Sequence, residues 1–295
     1  MKSQTNHTDK LPLLIVAMLS FTMLAEPLHA ADQPKAGGAK QKAGAWTQKR
    51  KTALVMLGSK DGWHMAPEQV DAVAGLLAGY CQLAAHFSDE PADFTVENIR
   101  KYDLVVLYSA MRPNAQKENV TKTALENVFK AVEAGTRLLS VHGGVYNTSI
   151  DGSPEIEEKI GCKYVKGPHY PYQRFKVKIE KAHPITDGVS DFQVLDEVYR
   201  LEMLDPAAEI LASYDAPSVL MGRISRPGMS DAQKEQVRLS HEWADKAGQA
   251  PVLYTRVLGK GKIVVNILGH DEQALRHPAV RALYEQSLQW LFSGK

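Results

Sequence analysis

The stretch Arg137-Leu138-Leu139-Ser140-Val141-His142-Gly143-Gly144 (RLLSVHGG, 137–144) decides the fold. Its apolar run is too short for a helix and stops at paired glycines, the pattern of a strand buried on both faces that enters a tight turn. Immediately before it, Thr121–Ala134 sets Ala124, Leu125, Val128 and Val132 on one helical face, with Gly135 placed to close the helix. Asp103–Tyr108 (DLVVLY) and Thr52–Leu57 (TALVML) are two more buried strands. Between them Pro67 opens a helix carrying Val70, Val73, Ala74 and Leu77 at helical spacing. Strands and helices alternating through short joints predict right-handed βαβ units on a parallel sheet.

Toward the carboxyl end the character changes. Phe175–Ile179, Glu197–Leu201 and Glu209–Ser213 read as shorter strands, antiparallel or at an edge. Residues 215–249 form a polar surface excursion with one helix, Ser230–Lys246, in which Ser230 is placed to cap and Asp231 sits near the positive end. The sheet resumes with Pro251–Thr255 and Lys262–Leu268 (KIVVNIL). Pro278 opens a last helix whose Val280, Leu283, Tyr284, Leu288 and Leu291 share one face. The expected class is α/β, with a mostly parallel central sheet and antiparallel additions in the second half.

Toward the amino end, Leu11–Ala25 is an uncharged run flanked by Lys2 and Lys10 and followed by Leu28-His29-Ala30. It is shorter than the ~20 residues a bilayer span needs and fits a secretory signal, so residues 1–30 are expected to be removed and no stable membrane span to remain. Residues 31–51 carry six basic side chains against Asp32 alone and show no apolar periodicity, which predicts a flexible linker. The remaining domain, 52–295, is mildly acidic although the whole 295-residue chain has a net charge of +1. That balance lacks the basic face a nucleic-acid partner requires. Composition, 44% hydrophobic and 23% charged, is that of an ordinary globular chain, and two cysteines cannot supply a disulfide framework or an all-thiolate zinc site.

In an open α/β sheet ligands gather beyond the carboxyl ends of the parallel strands. The first strand delivers Ser59 there, with His64 a few residues on; the DLVVLY strand delivers Ser109. RLLSV delivers His142-Gly143-Gly144, and KIVVNIL delivers Gly269-His270-Asp271. Two strands thus end in a histidine beside glycine, where a ligand can approach the imidazole. The SVHGG turn resembles a nucleophile elbow that presents His142 in place of Ser or Cys, which suits acid, base or metal-ligand chemistry. Neither Cys81 nor Cys162 occupies such a position, so both read as inert thiols, although an exported pair could oxidise.

SVHGG (140–144), His183-Pro184-Ile185 with Gly188, Asp196-Glu197-Val198-Tyr199, and GKGKIVVNILGHDE (259–272) follow the order and rough spacing of ThuA-like proteins. The chain resembles that family from about Lys51 to Phe292. The resemblance implies a flavodoxin-like three-layer sandwich of the class I glutamine amidotransferase-like superfamily and a role in carbohydrate metabolism, with 3-keto-sugars and glycosides among the substrates. His142 stands where that superfamily has its cysteine, so thioester-based glutamine hydrolysis is not expected. The longer polar segment after Ser213 departs from the short form of the pattern.

The DEVY match favours Glu197 as a base, ligand or histidine partner over a solvated edge carboxylate. On an alternating strand Glu197, Tyr199 and Leu201 would share a face opposite Val198 and Arg200. His142, Glu197 and His270 are therefore the candidate catalytic set. Ser59, His64, Ser109, Gly143, Tyr146, Tyr199 and Asp271 are candidate substrate contacts, with Trp63, His169, Tyr170 and Tyr172 in nearby loops. His183, before proline, reads as a turn residue. No local metal motif such as HExxH is present. His142, Glu197 and His270 can nonetheless gather a divalent metal through nitrogen and oxygen ligation, and the cofactor stays open at this point. Three readings follow: an exported enzyme acting on a small carbohydrate through His/Glu chemistry, a non-catalytic carbohydrate-binding or scaffolding module, and an amidase or peptidase with another nucleophile. The geometric expectation is that His64, His142, Glu197 and His270 line one cleft.

Overall fold

The computed structural model describes residues 50–57, 67–81, 83–108, 118–150, 153–165, 173–220 and 228–294. The signal and most of the linker expected at the amino end lie outside them. In chain order the elements are β1 (Thr52–Met56), α1 (Pro67–Cys81), β2 (Ala84–Ser88), α2 (Val96–Ile99), β3 (Leu104–Leu107), α3 (Glu118–Glu133) and β4 (Arg137–Val141). Then come α4 (Gly144–Ile150), α5 (Pro154–Ile160), β5 (Cys162–Tyr164), β6 (Gln173–Ile179), β7 (Phe192–Asp196), β8 (Leu201–Met203) and β9 (Glu209–Asp215). The last third holds α6 (Ala216–Leu220), α7 (Asp231–Ala247), β10 (Gln249–Leu258), β11 (Gly261–Asn266), α8 (Glu272–Leu275) and α9 (Pro278–Phe292).

Nine strands form one mixed sheet in the order β2-β1-β3-β4-β11-β10-β9-β6-β7, and β5 pairs with β8 separately. The first five are parallel; from β11 outward every pairing is antiparallel. The expectation of a mostly parallel sheet is thus corrected to an even division. The antiparallel half leaves a weaker sequence signal because its strands alternate buried and exposed residues, as in β6, whereas β3 is buried throughout and forms a continuous apolar run. β2 is an addition to the strands expected from the sequence. It is an edge strand with His86 and Ser88 breaking the apolar pattern.

A second correction concerns Glu197–Leu201. The strand before it ends at Asp196, and residues 197–200 cross as irregular chain with all four side chains buried, so they do not alternate between two faces.

The helices pack where their apolar faces predict. Val280, Leu283, Tyr284, Leu288 and Leu291 of α9 are all buried, each aliphatic contributing roughly 1.5–3 kcal/mol of transfer free energy. Ser230 caps α7 in a reciprocal capping box with Gln233, while the helix carries exposed Lys234–Asp231 and Arg238–Glu235 pairs on its outer side. At the β10–β11 hairpin, Gly259 has φ +59° and a Cβ there would lie 2.5 Å from the Glu133 carbonyl oxygen. The end of α3 lies against this turn, and the Lys260 N–H donates to Glu133 at 3.0 Å. Among the described residues no helix is long and apolar enough to cross a membrane.

Candidate active site

Because β1, β3, β4 and β11 run the same way, their carboxyl ends meet along one edge of the sheet. β4 delivers His142 and β11 delivers His270. His142 is held with φ +41°, the one non-glycine residue with positive φ among those described. This left-handed turn costs roughly 1–2 kcal/mol. It is fixed by the His142 N–H donating to the Asn266 carbonyl at 2.8 Å. The next turn presses against β3, so that a Cβ on Gly144 would stand 2.1 Å from the Leu107 carbonyl oxygen. Glycine at 144 is therefore a steric requirement.

Glu197 reaches the same point from the far edge strand. Its Oε2 lies 3.1 Å from His142 Nε2 and 2.9 Å from His270 Nδ1, and the two ring nitrogens are 3.3 Å apart. His142 Nδ1 is 2.7 Å from the Ile267 carbonyl oxygen, which can only accept. That contact makes Nδ1 the protonated nitrogen and turns Nε2 toward Glu197. Burial by itself disfavours the charged imidazolium of His142. The Glu197 hydrogen bond and the charges of Asp196 and Glu197 outweigh it and leave the pKa raised.

Asp196 organises the loop that bears His270. Its Oδ2 accepts the Gly269 N–H at 2.7 Å, and its Oδ1 accepts the N–H groups of His270 and Glu197 at 3.1 and 2.8 Å. Burial raises its pKa, offset in part by His142 and by these three donors. Asp196 lies in the DEVY block, but the sequence pattern alone gives it no role. An acid immediately before the candidate Glu, at a strand's end, was the available signal.

The cluster has a graded exposure that assigns roles. His142 is wholly buried and Glu197 nearly so, while the His270 side chain is 25% exposed. The His142 ring is closed off from solvent. With Nδ1 spent on Ile267 and Nε2 on Glu197, it positions the carboxylate. Tyr199, expected to contact substrate, is buried and stacks on the His142 ring at 4.4 Å between centroids. Tyr164 meets Tyr199 edge-on at 5.5 Å, and half-buried Tyr146 meets Tyr164 at 5.0 Å. Gly143 is buried in the elbow turn. Asp271 caps α8, its Oδ1 accepting the Ala274 N–H at 2.8 Å. His183 sits in a turn as expected, with its Nδ1 accepting the Ile185 N–H at 3.1 Å. Ser59, His64 and Ser109, with Trp63, His169, Tyr170 and Tyr172, lie outside the described residues. Of the four residues expected together, His142, Glu197 and His270 meet in one cluster. Cys162 opens β5, buried, with its thiol pushed up to about 12 by burial.

The family model for ThuA, described as trehalose utilisation, matches residues 52–291. The chain belongs to the ThuA family. Solved structures agree on the ThuA fold. A ThuA-like protein of Bacteroides uniformis superposes with a TM-score of 0.61 at 14% identity, over 86% of this chain and 96% of that one. A ThuA-like protein of Parabacteroides merdae gives 0.56 at 16% identity, over 84% and 91%. A cytoplasmic protein of Salmonella typhimurium gives 0.53 at 14% identity, over 82% and 99%. No curated protein sequence matches this ThuA chain. At these identities the likeness speaks for the fold, and the chemistry must come from the residues.

Among the described residues, His142, Glu197 and His270 are the one group of three whose ligand atoms lie within 4.8 Å of one another in a way suited to a metal ion.

Proposed function

We infer that this ThuA-family chain is an exported protein that acts on a small carbohydrate, an oxidised sugar such as a 3-keto-glycoside in particular, through acid–base chemistry at His270 and Glu197. Its frame is the flavodoxin-like, amidotransferase-type sandwich. The order β2-β1-β3-β4-β11 supports that reading, since it follows the 2-1-3-4-5 pattern of doubly wound sheets when β11 is counted fifth. Export rests on residues 1–30 of the sequence.

The single observation that carries the chemistry is the 2.9 Å approach of Glu197 Oε2 to His270 Nδ1 beside a fully buried His142. A carboxylate that accepts from Nδ1 fixes the tautomer and leaves Nε2 as the nitrogen that exchanges a proton with a ligand. The partly exposed ring meets substrate; Glu197 stabilises the imidazolium that forms; His142 keeps Glu197 in place. Removal of a proton α to a sugar ketone, followed by its return to the departing oxygen, is chemistry such a pair performs. Transfer of this kind contributes about 10²–10⁴-fold.

The test is turnover of 3-keto-glucosides by the purified mature protein, with His270→Ala and Glu197→Gln alongside. We expect turnover in the parent and a loss of at least about 10²-fold in each variant. Full turnover in both folded variants overturns the assignment. Sugar-dependent thermal stabilisation without product would instead mark a binding module.

A further inference from the structure

We propose that His142 Nε2, Glu197 Oε2 and His270 Nδ1 are three facial ligands of one divalent first-row transition-metal ion. The proposal deepens the functional reading above and rests on it only in taking this cluster as the working centre; in the loaded protein the ion takes the place of the ring protons that hold Glu197 when no ion is bound.

The three pairwise separations are 2.9, 3.1 and 3.3 Å. Two ligands at ~2.1 Å from one ion, at right angles, stand ~3.0 Å apart; at the tetrahedral angle they stand ~3.4 Å apart. All three edges fall in or just beside that window. A face of three ligands, two imidazole nitrogens and one carboxylate oxygen, leaves the remaining coordination positions open, as a working rather than a purely structural site requires.

The orientation of the ligands supports the same conclusion. His142 Nδ1–H donates to the Ile267 carbonyl oxygen at 2.7 Å, which aims the lone pair of Nε2 at the centre of the triad. Without an ion, ring protons bridge the nitrogens to Glu197, the His142 edge at 3.1 Å and the His270 edge at 2.9 Å. The third edge, between the two ring nitrogens at 3.3 Å, gains nothing from a second proton. A divalent ion joins all three edges together. Asp196 forms the outer support: it takes the N–H groups of Gly269, His270 and Glu197, holding the backbone of two of the three ligands in one geometry. Tyr199 walls the His142 ring from behind.

The donor set selects among ions. Two imidazoles and one carboxylate suit Zn²⁺, Mn²⁺, Fe²⁺ or Co²⁺, whereas Ca²⁺ and Mg²⁺ prefer all-oxygen surroundings. When bound, such an ion supplies Lewis-acid polarisation of a substrate oxygen. The chain's own part is to present the open face beside the exposed edge of His270.

The experiment uses the full mature chain without a polyhistidine tag, stripped with chelator and titrated by calorimetry with Zn²⁺ and Mn²⁺, with Mg²⁺ as comparison and no sugar present. We expect one ion per chain for Zn²⁺ or Mn²⁺ and no comparable binding of Mg²⁺. At a hundredfold excess over Kd the melting temperature should rise by roughly 5–10 °C. His270→Ala, at a partly exposed position, and the isosteric Glu197→Gln should each weaken binding by at least ~10²-fold, in protein that still melts cooperatively. Absence of stoichiometric binding, or binding unchanged in both variants, overturns the proposal. Sugar turnover by protein that binds no ion would sink the metal and spare the functional reading. A bound ion without turnover of any sugar would do the reverse.

Discussion

Asp196→Asn exchanges one atom and probes the support of the whole site. The Asp196 carboxylate receives three backbone N–H groups, two on Oδ1 and one on Oδ2. With the amide oxygen placed at Oδ1, the Glu197 and His270 donors keep their acceptor. The amide NH₂ then faces the Gly269 N–H across 2.7 Å, donor against donor. A hydrogen bond to a charged acceptor is worth about 1.5–3 kcal/mol, and a buried donor left unmet costs about 1–3 kcal/mol. Against this, removing a buried carboxylate whose pKa burial has raised returns part of a desolvation cost. The net expectation is a destabilisation of about 2–4 kcal/mol, with Asp196→Ala costing more because all three donors lose their partner. Urea unfolding followed by tryptophan fluorescence reads this as a lower midpoint at unchanged slope. A melting temperature lower by roughly 5–10 °C should accompany it. A midpoint for Asp196→Asn within about 0.5 kcal/mol of the parent would refute the claim that this carboxylate clamps the loop.

Other perturbations reach separate parts of the structure. Gly144→Ala puts a Cβ 2.1 Å from the Leu107 carbonyl oxygen, so we expect a loss exceeding about 4 kcal/mol or no folded protein, read by urea midpoint or soluble yield. His183 accepts the Ile185 N–H at Nδ1 and is held neutral by burial, its pKa below the ordinary value. The unfolded chain therefore takes up this proton first as pH falls. The stabilisation from His183 is complete above about pH 6.5 and is lost as pH drops through the folded-state value, so His183→Gln should flatten that limb of a stability–pH curve. Cys162, its thiol pushed up to about 12 by burial, should resist a thiol reagent at pH 8 in a Cys81→Ser background until denaturant is added. Rapid labelling under native conditions would contradict its burial. Leu283→Ala on the buried face of α9 should cost about 2–5 kcal/mol in the same unfolding assay.

The parallel half of the sheet was legible because its strands are buried on both faces and its helices carry single apolar stripes. TALVML, DLVVLY and RLLSV can hardly be anything else at those lengths. β2 and β7 were not, since edge strands mix polar residues into the pattern and obtain their partners from distant chain. The site divided along similar lines. His142 and His270 were readable from strand ends, and Glu197 from the DEVY block. What the sequence could not convey was depth. The imidazole at the elbow is sealed and the one at the end of β11 is partly open, a distinction that depends on how Tyr199 and Ile267 pack. Reading Glu197–Leu201 as a strand failed for a related reason. Four consecutive buried residues, one a glutamate and one an arginine, follow no two-fold period when irregular chain threads through the interior.

β11 sits between β4 on one side and β10 on the other, so it alone joins the parallel half of the sheet to the antiparallel half. Its partners on the β4 side are about 125 residues earlier, as in the contact of His142 with Ile267. A chain still emerging from the ribosome holds two half-sheets, each with a raw inner border, until its last few dozen residues arrive. The large loop must close before either half is shielded, which makes that interval slow and exposed to aggregation. Loss of the carboxyl-terminal segment would accordingly leave both borders open, and His142 and His270 cannot meet until β11 is in place.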